Sequence, residues 1–131
     1  MKNYKEYAPI LLRITISLVV IWFGINNIFS RELFLGYLPQ YAYNLPIQPL
    51  TIILITGIFE TIFGLLLIIG LFTRVASFLI TIHILGIAFS LGYNDVAIRD
   101  FGLALATLAI FLHGKDKWCL DNKLKKKLHP Y

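Results

Sequence analysis

Residues 50–74 read LTIILITGIFETIFGLLLIIGLFTR, from Leu50 to Arg74, and this stretch decides the fold class. Its apolar run is long enough to cross a bilayer, for which about 20 residues suffice. One carboxylate, Glu60, sits close to the middle. A strongly charged residue at that depth costs about 2.5–3.5 kcal/mol on insertion scales. A partner, water or protonation of the acid must offset that cost. Gly57, Glu60, Thr61 and Gly64 recur at i, i+3, i+4 and i+7, so the acid shares a helical face with small residues. Such a face lets another helix approach closely and keeps the carboxylate away from lipid. Gly70 is a plausible helix stop, and Thr73 a plausible cap for the helix that follows.

Composition extends this reading to the whole chain. Of 131 residues, 58% are hydrophobic and 15% charged, and the apolar residues gather in long runs. That pattern points to an all-α, polytopic membrane protein rather than a soluble domain. Four spans are expected, at about 7–29, 50–72, 75–92 and 96–113, followed by a basic tail at 114–131, so one membrane domain occupies 1–131. The N-terminal lysines precede an apolar run, as in a signal peptide, but Arg13 falls early in it and no small-residue cleavage site is convincing. The run is therefore expected to be a retained first span.

The last span has the weakest sequence signal: it is roughly 27 Å at 1.5 Å per residue, and Arg99 and Asp100 occupy its first turn. Charge asymmetry supports it. Lys2, Lys5 and Arg13, then Arg74, then the lysines of the tail all favour the cytoplasm, and four spans put those places on one side. Both termini are expected to be cytoplasmic. The tail holds six lysines against two aspartates, which accounts for most of the net charge of +5. On an apolar body it reads as a topology signal in contact with lipid headgroups, not as a nucleic-acid site.

Three further stripes carry polar groups. Arg13, Ser17, Val20, Gly24 and Asn27 share a face of the first span, where Arg13 can snorkel toward the headgroups. Ala76, His83, Gly86 and Ser90 share a face of the third; Asp100, Ala104, Thr107 and Phe111 share one of the fourth. Gly24, Gly57, Gly64 and Gly86 are read as helix-packing positions. Counted outward from the short turn at 70–74, Glu60 and His83 reach similar depth, so they can pair; His83 can equally bond a nearby carbonyl or hydroxyl. The connection at 30–49, SRELFLGYLPQYAYNLPIQP, has Ser30 as a cap candidate, three prolines and three tyrosines. It reads as an interfacial anchor, with a lid over a cavity as the alternative.

The histidines, His83, His113 and His129, show no metal-ligand spacing, and Cys119 is the only cysteine, so neither a metal motif nor a disulfide framework is present in the sequence. The candidates for a ligand or proton site are Arg13, Glu60, Arg74, His83, Arg99 and Asp100. Desolvation would favour a neutral Glu60 and an adjacent arginine an ionised one. Either form suits a proton relay or a polar ligand such as a quinone carbonyl. A polar network that merely fixes how helices pack is the other reading.

These residues give the chain a family resemblance. Leu12-Arg13-Ile14 followed by Trp22-Phe23-Gly24 looks like the start of the DoxX/DoxD-like proteins, a family of small four-helix integral membrane proteins. Gly57-Ile58-Phe59-Glu60, Gly64-Leu65-Leu66-Leu67 and Gly70-Leu71-Phe72-Thr73-Arg74 resemble the family's central signature; Arg99-Asp100 and Leu120-Asp121 complete it. The resemblance implies association with membrane redox complexes: one branch is similar to a subunit of a thiosulfate:quinone oxidoreductase, and others are linked to oxidative-stress assemblies. The positions it carries over are Arg13, Gly24, Glu60, Gly64, Gly70, Thr73, Arg74, Arg99, Asp100 and Asp121. Many members have a lysine at the place of Asn27, whose loss removes a partner for Glu60, and a serine near that of Cys119. Here Cys119 lies beside Trp118 and near Lys115 and Lys117, on the expected cytoplasmic face, and is read as incidental.

The leading expectation is an integral membrane component of a redox or quinone-linked system, with an intramembrane polar site centred on Glu60. A quinone is the candidate cofactor. The bilayer, other redox-complex subunits and a second copy of the chain are the candidate partners. A non-enzymatic scaffold that docks a partner, and a conduit for protons or a small molecule, stay open as alternatives. The space beside Glu60 discriminates among them: a closed salt-bridge network or an open cavity.

Overall fold

A computed structural model describes residues 3–128. Four helices in it are long and apolar enough to span a membrane. They are α1 (Tyr7–Phe29), α2 (Pro49–Ile69), α3 (Thr73–Leu91) and α4 (Asp95–His113), followed by a short α5 (Leu120–Leu128). The chain is thus a multi-pass, all-α membrane protein. Its burial pattern is inside out relative to a soluble protein. Leu11, Trp22, Ile55, Ile62, Phe89 and Leu112 face outward, while Arg13, Ser17, Glu60, Ser77 and Thr107 are buried. Apolar side chains lose nothing by facing lipid, whereas polar ones must find partners inside.

The helix ends follow local chemistry. Pro49 opens α2, where a missing N–H costs no helical hydrogen bond. Gly70 ends it in the left-handed region (φ 76°), and the Leu71 and Gly70 amides close back on the Leu66 and Leu67 carbonyls. The expected span to residue 72 therefore stops at Ile69, and α3 begins at Thr73, two residues before the expected 75. Asn94 caps α4 by accepting from the Ala97 amide at 2.8 Å. Ser30 makes no side-chain cap; the connection from it forms two 3-10 helices, Arg31–Tyr37 and Gln40–Asn44.

Packing is in two pairs. α1 lies along α2 and α3 along α4, while α2 and α3 touch much less despite the tight turn between them. The α1–α2 contact depends on glycine. A Cβ on Gly24 would lie 2.7 Å from the Thr61 amide, one on Gly57 would lie 2.8 Å from the Gly24 carbonyl, and one on Gly64 2.7 Å from Ile21. Gly86 is the exception among the expected packing glycines: a Cβ there meets no atom within 4 Å.

The apolar core, with Ile16, Leu67, Ala76, Ile80, Ala104 and Ile110, fills the half of the bundle toward the 70–73 turn. The other half is built differently. Asn27, near the end of α1, meets α2 at Glu60 and Gly57. Beyond that level α1 has two residues left and α2 has eight, so α1 stops about 9 Å short of its partner. The 30–49 connection tucks into the space this leaves.

The start of the described chain and the loop before α5 meet at one end of the bundle. Lys117 pairs with Glu6 at 3.2 Å, and Tyr7 packs edge-on against Trp118.

Candidate functional site

Glu60 is 7% exposed and holds two partners. Asn27 Nδ2 donates to its Oε2 at 2.8 Å, and His83 Nε2 lies 3.1 Å from its Oε1. α1, α2 and α3 thus each contribute one side chain. The close glycine contact explains the register, because only with Gly24 against Gly57 can Asn27 reach the acid. His83 is further held by Phe59, whose ring centroid is 4.8 Å away. With Nε2 protonated, His83 donates to the carboxylate and leaves Nδ1 as an acceptor; with a second proton it forms an ion pair.

This cluster lines a cavity of about 450 Å³ between the two helix pairs. Most of its wall is apolar, with Val20, Phe23, Ile53, Ile80 and Leu103 among the lining residues. The 30–49 connection covers it with Phe34, Tyr37, Leu38, Tyr41 and Ala42, and Tyr41 Oη sits 3.1 Å from Ser90 Oγ on α3. The connection therefore has the lid geometry, with its tyrosines on the same segment. Arg99 and Asp100 also line the cavity, joined to each other at 3.0 Å, with the Arg99 guanidinium 5.3 Å above the Phe23 ring. A mainly apolar pocket of this size with a few convergent polar groups is the usual form of a small-molecule site.

Two expected members lie elsewhere. Arg13 does not reach Glu60. It is 2% exposed, so it does not snorkel; its Nε donates to Asp116 at 2.6 Å and its Nη1 to the Leu67 and Ile68 carbonyls at 2.8 and 2.6 Å. A guanidinium carries donors enough for a carboxylate and two helix-end carbonyls at once. Arg74 sits at the turn end as well, against Gly114 after α4, where a Cβ would lie 2.8 Å from its Nε. Gly86 lines the cavity instead of packing helices.

The basic tail is partly built in, which its lysine count conceals. Asp121 accepts from the Phe72 and Thr73 amides at 2.9 and 3.0 Å and from the Thr73 hydroxyl at 3.0 Å. The cap of α3 is thus Asp121 rather than Thr73. It steadies Phe72, a non-glycine residue at φ 50°. Cys119, 1% exposed, lies under Gly70 rather than on an accessible face. Burial opposes ionisation of Asp116, but hydrogen bonds from Arg13 and the Trp118 amide, with the arginine's charge, hold its carboxyl below the ordinary value. Burial likewise opposes ionisation of Asp121, and the Thr73 and Phe72 amides outweigh it, leaving this carboxyl lowered too. The local signal for this anchor was Asp121 itself, one of two acids in a lysine-rich tail.

No curated protein and no solved structure matches the chain. A family model described as "TQO small subunit DoxD" matches residues 34–131. The match takes in the lid and α2, α3 and α4, and begins after α1, so Arg13, Gly24 and Asn27 lie before it. It spans well over half of the chain, with Glu60, His83, Arg99 and Asp100 inside it. The chain belongs to the DoxD family.

Proposed function

We propose that this protein is the membrane component of a quinone-linked redox complex, in which the cavity beside Glu60 receives a quinone or quinol ring. The observation that carries this reading is the Glu60, His83 and Asn27 cluster on the wall of a mainly apolar cavity of about 450 Å³. Membership of a family described as the small subunit of TQO supports it. A quinone oxygen needs a donor, and a quinol hydroxyl needs an acceptor. His83 offers either, according to which ring nitrogen carries the proton. Glu60 sets that choice through its hydrogen bond, and it can take a proton that His83 releases. Asn27 keeps the carboxylate oriented toward the histidine. The apolar wall excludes water and suits the ring faces. Electron transfer is assigned to a partner subunit of the complex, and both termini to the cytoplasmic side on the lysine and arginine distribution.

A second reading is a scaffold whose buried polar contacts only hold helices together. It is favoured by one observation: among the described residues no buried side-chain polar atom lacks a hydrogen-bond partner. Quinone titration separates the two. In purified protein, Glu60→Gln weakens quinone binding at least tenfold, about 1.4 kcal/mol, with the thermal midpoint little changed. Equal binding to both proteins, or binding to neither, overturns the ring site and leaves the scaffold.

A further inference from the structure

The cavity has an open flank that the Glu60 cluster does not explain. α2 and α3, like α1 and α4, are loosely packed neighbours in the bundle. Phe59 packs at a tilt against His83, 4.8 Å away, and against Phe63, 4.6 Å away between ring centroids, which narrows the seam from the level of Glu60 toward the 70–73 turn. On the other side of those rings, Ile52 and Thr56 of α2 and Ile82 and Gly86 of α3 line the cavity. Residues 82, 86 and 90 recur every fourth position, so they form one stripe along α3. Ile82 is 52% exposed, and Gly86 is exposed with nothing within 4 Å of where a Cβ would be. At its outer end the stripe is bridged by the Tyr41 to Ser90 contact at 3.1 Å. The seam therefore has a floor of packed rings, a roof from the lid, and a side left open by the small size of Gly86. Gly86 and Ile82 are exposed on a membrane-spanning helix, so that side faces lipid.

We infer that this seam is a lateral portal through which the long apolar tail of a membrane quinone leaves the cavity into the bilayer. The inference rests on the ring site proposed above and adds the route by which the substrate's tail reaches the bilayer, with the residues that line it. A polyisoprenoid tail is too large to be enclosed in about 450 Å³ together with its ring. It must emerge somewhere. Emerging toward the lid would carry it past the Arg99 and Asp100 charges and into water, whereas emerging beside Gly86 keeps it in hydrocarbon throughout. Gly86 approaches no other helix, so its small size leaves space at this flank rather than serving a helix contact.

The test compares two probes, a benzoquinone with a decyl tail and the same ring without a tail, on the unsubstituted protein, Gly86→Ala and Gly86→Trp in lipid nanodiscs. A Cβ at this position meets nothing, so Gly86→Trp starts its side chain without a clash and is placed to fill the portal; Ile82→Trp, one turn away, serves if it fails to fold. The expected result is a loss of at least tenfold in decyl-quinone affinity in Gly86→Trp, with Gly86→Ala unchanged. Affinity for the tailless ring, where measurable on the unsubstituted protein, stays within about twofold. Decyl-quinone binding that is unchanged by Gly86→Trp and Ile82→Trp overturns the portal while leaving the ring site standing. Equal loss for both probes overturns it too, since the indole would then be reaching the ring. If the unsubstituted protein binds neither probe, the ring site itself fails and the portal with it. A phospholipid found at the seam by native mass spectrometry and displaced by Gly86→Trp, with quinone affinity unaffected, assigns the flank to lipid and overturns the proposal.

Discussion

Glu60 and Arg13 are both buried ionisable side chains in membrane-spanning helices, and they meet the cost of burial in different ways. Arg13 is fully committed, to one carboxylate and two carbonyls at the end of α2. Glu60 is held by an amide and by an imidazole that can donate or accept, and it borders open space. That contrast separates a structural charge from a candidate reactive one. Breaking a buried pair leaves an uncompensated charge and typically costs about 3–5 kcal/mol. Arg13→Met is therefore expected to destabilise the protein by about that amount in reversible unfolding in detergent. Arg13→Met combined with Asp116→Leu should recover part of the loss. A double variant no more stable than the single would show that the pair is not the source. At this scale the sequence was informative about Glu60 and His83, because a short turn sets the depth of both. It was misleading about Asn27: measured against the family's lysine it reads as a missing partner, yet its amide supplies the bond. In sequence Arg13 reads as snorkelling toward the headgroups; it is buried instead against Asp116, a partner 103 positions away and beyond any local pattern.

At the scale of elements, the glycines of α1 and α2 set how closely the helices meet, and Asp121 sets where α3 begins. Gly57→Leu should lower the thermal midpoint markedly and weaken quinone binding, since a side chain there would drive α1 away and withdraw Asn27 from Glu60. Gly86→Ala should be neutral or slightly stabilising in the same assay, because its Cβ enters empty space. Asp121→Ala removes the acceptor of two amides at the α3 terminus, a loss of about 0.5–2 kcal/mol for a helix cap. The pH dependence has a definite sign. Both Asp116 and Asp121 have folded-state carboxyls lowered from 3.8. A depressed acid contributes stability that is fully present above its unfolded value and is lost as pH falls through the folded one. Unfolding measured from pH 6 down to pH 3 should show stability falling below about pH 4, and Asp121→Asn should flatten that fall. A fall unchanged in Asp121→Asn would assign it to other acids. The glycine face of α2 was readable from its spacing alone, while Gly86 was not separable from it: glycine that packs and glycine that leaves a gap look the same in sequence.

For the whole molecule, even span number places Glu6 and Lys117 at one end, which the proposal above puts in the cytoplasm on the lysine and arginine distribution. Cysteine labelling checks the side. Cys119 is buried, so background with an impermeant maleimide should be low. Tyr93→Cys, in the loop between α3 and α4 where Tyr93 is 95% exposed, should label from outside cells, and Lys125→Cys only from inside-out vesicles. The opposite pattern inverts the topology. Purification from native membrane should bring down a redox partner subunit; a homo-oligomer alone would count against the complex. By itself the sequence determined the fold class, the number of spans and the family. Those follow from hydropathy, charge asymmetry and the central signature, all of which are local along the chain. Only the tertiary structure decided which buried charges belong together, that the lysine-rich tail anchors the turn end, and that the acid of residues 50–74 borders a cavity. The reason is geometric. Rotation of each helix about its axis and the level at which α1 stops are set by side chains meeting across the bundle, and no single helix carries that information.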